Sequence, residues 1–272
     1  MRQPLVSILI CTYNAEETIE QTLNTCLKQT YSNFEILIHD DQSKDKTIEI
    51  INNIWDKRIK IIKSWKKLWP YKGLNFLLNH AKWEYIAIQD HDDLRYSEKI
   101  EKQINFLEKN KRIVGCWTRT IIWYEWDNKW YESYYWDICY YTIHPSLIFR
   151  NKWYRYVENR VYMGDAYFQK KILWNWEKNI WNINEILTIH RVKKWADNYT
   201  YKWFKLTKTN LGTLFYIYPL VWWICVLCFE FMRKIIYPVL HFLKAWKYID
   251  KIERFPFLLR WFSVRHFTPW EV

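Results

Sequence analysis

Three carboxylates fall within four residues in "IQDHDDL", at Asp90, Asp92 and Asp93, directly after the β-like run "EYIAI". Crowded carboxylates repel one another, and such a cluster costs stability unless a cation sits among them. Carboxylate oxygens are hard ligands suited to Mn²⁺ or Mg²⁺. An ion held by one or two carboxylates completes its shell with water and substrate phosphates, so the pattern points to a phosphate-bearing substrate. A solvated acidic turn would show the same residues. A second acidic pair, Asp40 and Asp41, ends the run "FEILIHD". Alone it is weak, because Asp caps turns and helices routinely. The order carries more: a polar strand end at Tyr13 and Asn14, then the paired acids, then the metal-type cluster. On one sheet edge these would form a nucleotide pocket, with the base near the first two and diphosphate and metal at the third. Asp165 opens "GDAYFQKKIL", where a carboxylate suits the first turn of a helix.

These residues need a scaffold that brings strand ends together. Residues 5–11, "LVSILIC", are continuous, apolar and β-branched, as a buried strand would be. Amphipathic stretches follow each strand-like run, giving helix–strand alternation through "FEILIHD", "KTIEIINNI", "RIKIIK", "GLNFLLNHA", "EYIAIQD" and "SEKIEKQINFLEKN". Such alternation implies an α/β fold with a mostly parallel, doubly wound sheet flanked by helices. Ligands bind beyond the carboxyl ends of strands in these sheets, which is where the polar residues above fall. Residues 113–150 read as further strands and loops.

The chain has 272 residues and a formal net charge of +12. That size holds one large domain, or one domain with an appendage. The charge suits nucleic acid, an anionic membrane face or phosphorylated ligands and does not choose among them. The six cysteines are scattered and the opening residues lack a long apolar leader, so a reducing, cytoplasmic setting is expected. Cys225 and Cys228 form a CxxC inside an apolar run, with no second Cys/His pair nearby to complete a zinc site.

Composition is unusual in one respect. There are 4 glycines and 20 tryptophans, together about 9% of the chain, where glycine alone ordinarily makes about 7%. Many tryptophans stand where a turn wants glycine, as in "IWDKR", "EWDNKWY", "ILWNWEKN" and "KKWADN". The expectation is that UGA, written as tryptophan, is read as glycine in the source organism.

The motifs taken together resemble those of the family 2 glycosyltransferases, which have the GT-A fold. "VSILICTYNAEETIEQTLNTCLKQTYSNFEILIHDDQSKDKT" is similar to that family's opening, and "AKWEYIAIQDHDDL" to its block "A-x-G-E-Y-I-A-x-x-D-x-D-D". "IHPSLIFR" and "YMGDAYFQKKI" resemble two later blocks, so the likeness covers roughly residues 4–200. Trp83 stands at the glycine of "G-E-Y", and Trp69 where the family often has "L-G". Gln42 stands at the glycine of "D-D-G-S", which recoding does not explain.

The resemblance implies a metal-dependent, inverting glycosyltransferase (EC 2.4 class) using a nucleotide-diphospho-sugar, uridine being the family's commonest base. Tyr13 would line the nucleotide site with Cys11 and Asn14 nearby, and Asp41 would bond the base. Asp90 would face ribose and diphosphate, Asp92 would bind Mn²⁺ or Mg²⁺, and Asp165 would be the general base. His144 would shape the acceptor side. Many relatives carry "R-x-H" after the base; here Arg191 is followed by Val192 and Lys193, and Lys193 can pair with a phosphate but not ligate a metal while charged. A catalytic domain is expected over 1–205. Over 206–272 a hydrophobic, basic helical tail is expected, because 209–229 carries no charge and would span roughly 30 Å as a helix. Flanking lysines and arginines suit an anionic cytoplasmic membrane face. A glycan or lipid-linked acceptor, in cell-surface polysaccharide synthesis, would follow.

Rival readings fit less well. A nucleotidyltransferase would carry a Gly-rich, Arg-bearing loop after the first strand, unlike "CTYNAEET". A phosphohydrolase would usually place its Asp-x-Asp on the first strand. A nucleic-acid binder would lose much of its aromatic surface to miswritten glycine, so no nucleic acid is expected as a partner. A catalytically inactive, membrane-associated scaffold of the same fold is the remaining alternative, against which Asp41, Asp92 and Asp165 stand together.

Overall fold

The computed structural model describes residues 3–193, apart from 83, 126–127, 134–142, 159–163 and 170–179, together with 262–264. The expected tail over 206–272, including the uncharged run 209–229, otherwise lies outside the described residues. No described helix is long and apolar enough to cross a membrane. Residues Met1–Ala196 form one compact unit with Val264–Val272.

In that unit β1 (Val6–Thr12), β2 (Phe34–Asp40), β3 (Ile59–Ile61) and β4 (Tyr85–Asp90) alternate with α1 (Ile19–Leu27), α2 (Thr47–Asn53) and α3 (Trp69–His80). The four strands pair in parallel in the order β3-β2-β1-β4. Burial on both faces explains the apolar runs of β1, β2 and β4. Val6, Ile8 and Ile10 point into a core shared with Ile19, Leu23 and Cys26 of α1. Alternate residues, Leu9 of β1 and Ile86 and Ile88 of β4, pack on the other face with Leu74, Leu77 and Leu78 of α3. A one-residue slip in any of these strands would exchange the two cores, so their register is strongly specified.

Beyond β4 the expectation of a mostly parallel sheet is corrected. The two-residue β5 (Leu94–Arg95) and α4 (Lys99–Lys109) lead into β6 (Gly115–Tyr124), β7 (Lys129–Ser133), β8 (Ile148–Arg150), α5 (Gly164–Tyr167) and β9 (Ile180–Val192). β8 pairs antiparallel with β4 and β6, β7 antiparallel with β6, and β5 antiparallel with β9. The parallel pair of β6 and β9 joins these antiparallel ones. The sheet is therefore mixed. The reason is local: β6 and β7 are joined by a short turn, which permits only an antiparallel pair, whereas parallel neighbours need a long crossover. Trp130, expected in a turn, lies inside β7 and is 9% exposed.

The loop after β2 contains a conformational demand. Gln42 has φ of 67°. In that left-handed region an L side chain crowds the following carbonyl, at a cost of about 1–2 kcal/mol that glycine avoids. The family's glycine at this position is thereby explained. Gln42 is exposed, so its side chain contributes little packing. Gln42→Gly is expected to raise the unfolding free energy by about 1 kcal/mol in a urea titration. An unchanged or lowered midpoint would show that residue 42 does not need this conformation.

Candidate active site

The carboxyl ends of β1, β2 and β4 lie side by side. Cys11 pairs in register with His39 of β2 and Asp90 of β4, and Thr12 with Asp40. The parallel register thus delivers the end of each strand to one edge, as expected from the sequence.

The three carboxylates after β4 do different things. Asp93 is fully buried. Both its oxygens lie 3.0 Å from His190 Nδ1, and Oδ1 accepts the backbone N–H of Arg191 at 2.8 Å. Burial disfavours the charged imidazole, but Asp93, and behind it Asp92 and Asp90, outweigh this and push the His190 pKa up to about 9. Asp93 is therefore a fastener that ties the β4–β5 turn to β9. Among the described residues, neither the Asp90 nor the Asp92 carboxylate is seen to accept a hydrogen bond. Burial, then Asp93 and Asp92, push the Asp90 carboxyl well above the usual carboxylate range, and Asp165 adds to the effect. Two half-buried carboxylates of hard oxygen donors, uncommitted and mutually repelling, fit a divalent cation that also binds phosphate. No group of three or more His, Cys, Asp or Glu among the described residues is arranged to hold a metal by itself.

The side expected to take the nucleotide base is formed by the loops after β1 and β2. The Asn14 backbone N–H bonds Ser43 Oγ at 2.9 Å, and its side-chain carbonyl accepts Lys44 N–H at 2.9 Å, stitching the two loops together. Its φ of 48° is one that Asn tolerates. Asp41 accepts the backbone N–H groups of Leu68 at 2.6 Å and Trp69 at 3.2 Å, satisfying donors at the start of α3. Tyr13 is 40% exposed and carries the Lys67 ammonium 3.4 Å from its ring centroid. Cys11 approaches the Pro70 carbonyl at 3.7 Å, and burial with Asp90 and Asp41 drives its thiol pKa up. It is a neutral wall, not a nucleophile. Gly73 lets α3 come this close: a Cβ there would stand 2.9 Å from both Cys11 Sγ and His39 Cδ2.

Asp165 sits in the first turn of α5 as expected. Tyr71 donates to its Oδ1 at 3.4 Å. Burial, and next the Asp165 charge, raise the Tyr71 pKa well above that of a free phenol, so Tyr71 remains a donor. Gly164 is required here, since a Cβ would meet the Tyr71 ring at 2.5 Å. Tyr156 stacks between Tyr71 and Phe168, with centroids 5.7 and 3.9 Å away. Asn75 of α3 holds the Tyr156 backbone through two bonds of 2.8 and 2.9 Å. His144, in a 3-10 turn (His144–Ser146), is buried and shares a 2.7 Å hydrogen bond with the Tyr156 hydroxyl. Burial lowers its pKa, and Asp165 opposes that only in part.

The Lys193 ammonium lies 2.6 Å from Glu17 Oε2, in the loop after β1. The residues that sequence reasoning missed are His190, Lys67, Tyr71 and Tyr156. The search for "R-x-H" passed over His190 because it precedes Arg191.

With this geometry in hand, the chain can be set beside known proteins. It belongs to glycosyl transferase family 2, whose sequence model matches residues 7–168. An uncharacterised glycosyltransferase of Haemophilus influenzae is 41% identical over 116 residues, 42% of this chain and 46% of that protein. The Escherichia coli UDP-Glc:alpha-D-GlcNAc-diphosphoundecaprenol beta-1,3-glucosyltransferase WfaP is 46% identical over 107 residues, 39% of this chain and 43% of that one. The chain thus spans less than half the length of these relatives. In fold it is similar to S. aureus TarS in complex with UDP, with a TM-score of 0.58 and 20% identity over 69% of this chain and 60% of that one. It is also similar to the mannosyltransferase PcManGT of Pyrobaculum calidifontis in complex with GDP-Man and Mn²⁺, with a TM-score of 0.56 and 17% identity over 72% and 59% of the two chains.

The division of labour among the carboxylates has a stability signature. Asp93→Asn breaks a buried charge pair and is expected to cost about 3–5 kcal/mol of unfolding free energy. Asp92→Asn removes a neighbour that repels Asp90 and Asp93 and attracts His190 without bonding it, and should change stability little. Denaturant titration of both variants checks this, and equal losses would contradict the assignment.

Proposed function

We propose that the chain is an inverting glycosyltransferase that moves a sugar from a nucleotide-diphospho-sugar, with uridine as the base, to a hydroxyl of a glycan or lipid-linked acceptor. The observation that carries the reading is the uncommitted Asp90–Asp92 pair beside the base-side loops, with Asp165 close enough to act on Asp90. Family membership supports it, as do the UDP-glucose and diphosphoundecaprenol substrates in the name of WfaP and the nucleotides bound in TarS and PcManGT.

Tyr13 would line the nucleotide pocket with Cys11 and Asn14, and Asp41 would orient the base while holding the start of α3. Asp90 and Asp92 would hold Mn²⁺ or Mg²⁺, which when bound supplies Lewis-acid neutralisation of the diphosphate. Lys67 lies over the Tyr13 ring and Lys193 pairs with Glu17 of the loop after β1, and Lys193 would exchange Glu17 for a phosphate. Asp165 accepts the proton of the acceptor hydroxyl as that oxygen attacks the anomeric carbon. The new C–O bond forms as the bond to the diphosphate breaks, and the nucleoside diphosphate leaves with the electron pair. Attack from the face opposite the leaving group inverts the anomeric centre. Tyr71 orients the Asp165 carboxylate, and His144 with Tyr156 shapes the acceptor side. We further propose a catalytic domain over 1–205 and a membrane-associated tail over 206–272. Together these would place the enzyme at the cytoplasmic face, in cell-surface polysaccharide synthesis.

The test is sugar transfer from UDP-sugars to a polyprenyl-diphosphate-linked sugar. Asp165→Asn is expected to lower kcat by about 10²–10⁴-fold with little change in the donor KM. Retention of full kcat would remove Asp165 from the role of base. No transfer, and no hydrolysis of any nucleotide sugar, by folded protein would favour the inactive scaffold instead.

A further inference from the structure

Eight of the 20 tryptophans lie among the described residues, and they fall into two groups. Trp117 and Trp130 are 5% and 9% exposed. Trp123 stacks on Trp130 with centroids 4.9 Å apart and planes 5° apart, and both indole N–H groups reach Asn128 Oδ1 at 3.3 and 3.2 Å. These three behave as large aromatic residues ordinarily do: Trp117 is buried, and Trp123 and Trp130 are packed with the N–H satisfied.

The other five do not. Trp55 and Trp65 are 97% and 102% exposed, Trp153 is 83%, and Trp69 and Trp181 are 60% and 57%. An exposed tryptophan could mark a docking surface, but backbone geometry speaks against that at two of them. Trp69 and Trp153 have φ of 65° and 63°. A bulky L residue is a genuine outlier there, whereas glycine visits the region freely. The other three described residues with positive φ are Asn14, Asn128 and Gln42, two of them the side chain best suited to it after glycine. None of the three described glycines has a positive φ. Gly73, Gly115 and Gly164 instead sit where an added Cβ would fall within 2.9 Å of a neighbour. The three described glycines therefore serve close approach, and two of the left-handed positions that ask for glycine carry tryptophan.

We infer that positions 55, 65, 69 and 153 are glycine in the natural protein, because the source cell reads UGA as glycine. Trp117, Trp123 and Trp130 bear no such mark. Position 69 matters most for the site, since its backbone N–H is one of the two held by Asp41 and the Lys67 ammonium lies 5.1 Å from its ring centroid. The inference does not rest on the catalytic reading, and its test is indifferent to whether the protein transfers a sugar.

Two measurements decide it. The gene is expected to carry UGA at codons 55, 65, 69 and 153, and tryptic peptides 47–57, 68–72 and 153–155 of protein purified from the source cell should have the masses of glycine-containing peptides. UGG at codons 69 and 153, or tryptophan masses in those peptides, would overturn the inference. In protein made recombinantly with tryptophan, Trp69→Gly and Trp153→Gly should each raise Tm by about 2–4 °C, while Trp117→Gly should lower it. A fall in Tm for the first two would contradict the strain on which the inference stands.

Discussion

Mutual repulsion among Asp90, Asp92 and Asp93 is the constraint around which the rest of the site is arranged. Three carboxylates at the end of one strand cannot all be satisfied by water once the strand is buried. The fold resolves part of the problem itself. Asp93 turns inward to the His190 imidazole and the Arg191 amide, so one charge is neutralised by β9. The remaining two point where no protein donor meets them among the described residues. That leaves a local field that a cation and its phosphates would satisfy, and would tie the proposed metal binding to the anchoring of β9.

The sheet supplies the positioning. Because β1, β2 and β4 are parallel and in register, their ends share one edge, and each following loop departs from the same side. α3 starts in that edge region, with its first amides held by Asp41, and its Gly73 admits the close contact with Cys11 and His39. From α3 the Tyr71 ring reaches Asp165, and Asn75 holds Tyr156. One helix thus links the loops after β1 and β2 to the side where Asp165 lies. Rigid elements would carry the proposed chemistry on both sides, as a site that must hold reacting groups in line requires.

The parallel half of this fold was legible in the sequence because β1, β2 and β4 are buried on both faces and read as apolar runs. The helices between them carry a clear period, though α3 begins four residues before "GLNFLLNHA", the start being set by Asp41 rather than by any local signal. The antiparallel half was not legible. β6 to β9 are only partly buried, mix charged with apolar residues, and pair by hairpin and bulge geometry that local pattern does not encode. Among the site residues, Asp90, Asp92 and Asp165 stood out by type and position. The fastening role of Asp93 did not, because its partner His190 lies 97 residues further along the chain. The stack of Tyr71, Tyr156 and Phe168 was equally hidden, since nothing local joins three aromatics from separate elements.

The most direct measurement of the central claim is nucleotide binding followed by thermal shift, with UDP, GDP, dTDP and CDP each in the presence and absence of Mn²⁺. A ligand that binds only the folded state must raise Tm. The account predicts that one nucleotide, UDP, stabilises the protein only when the metal is present, and that Asp92→Ala abolishes this rise without lowering the Tm of the free protein. A well-folded sample whose Tm responds to none of the four, or a metal-dependent rise that survives in Asp92→Ala, would contradict it.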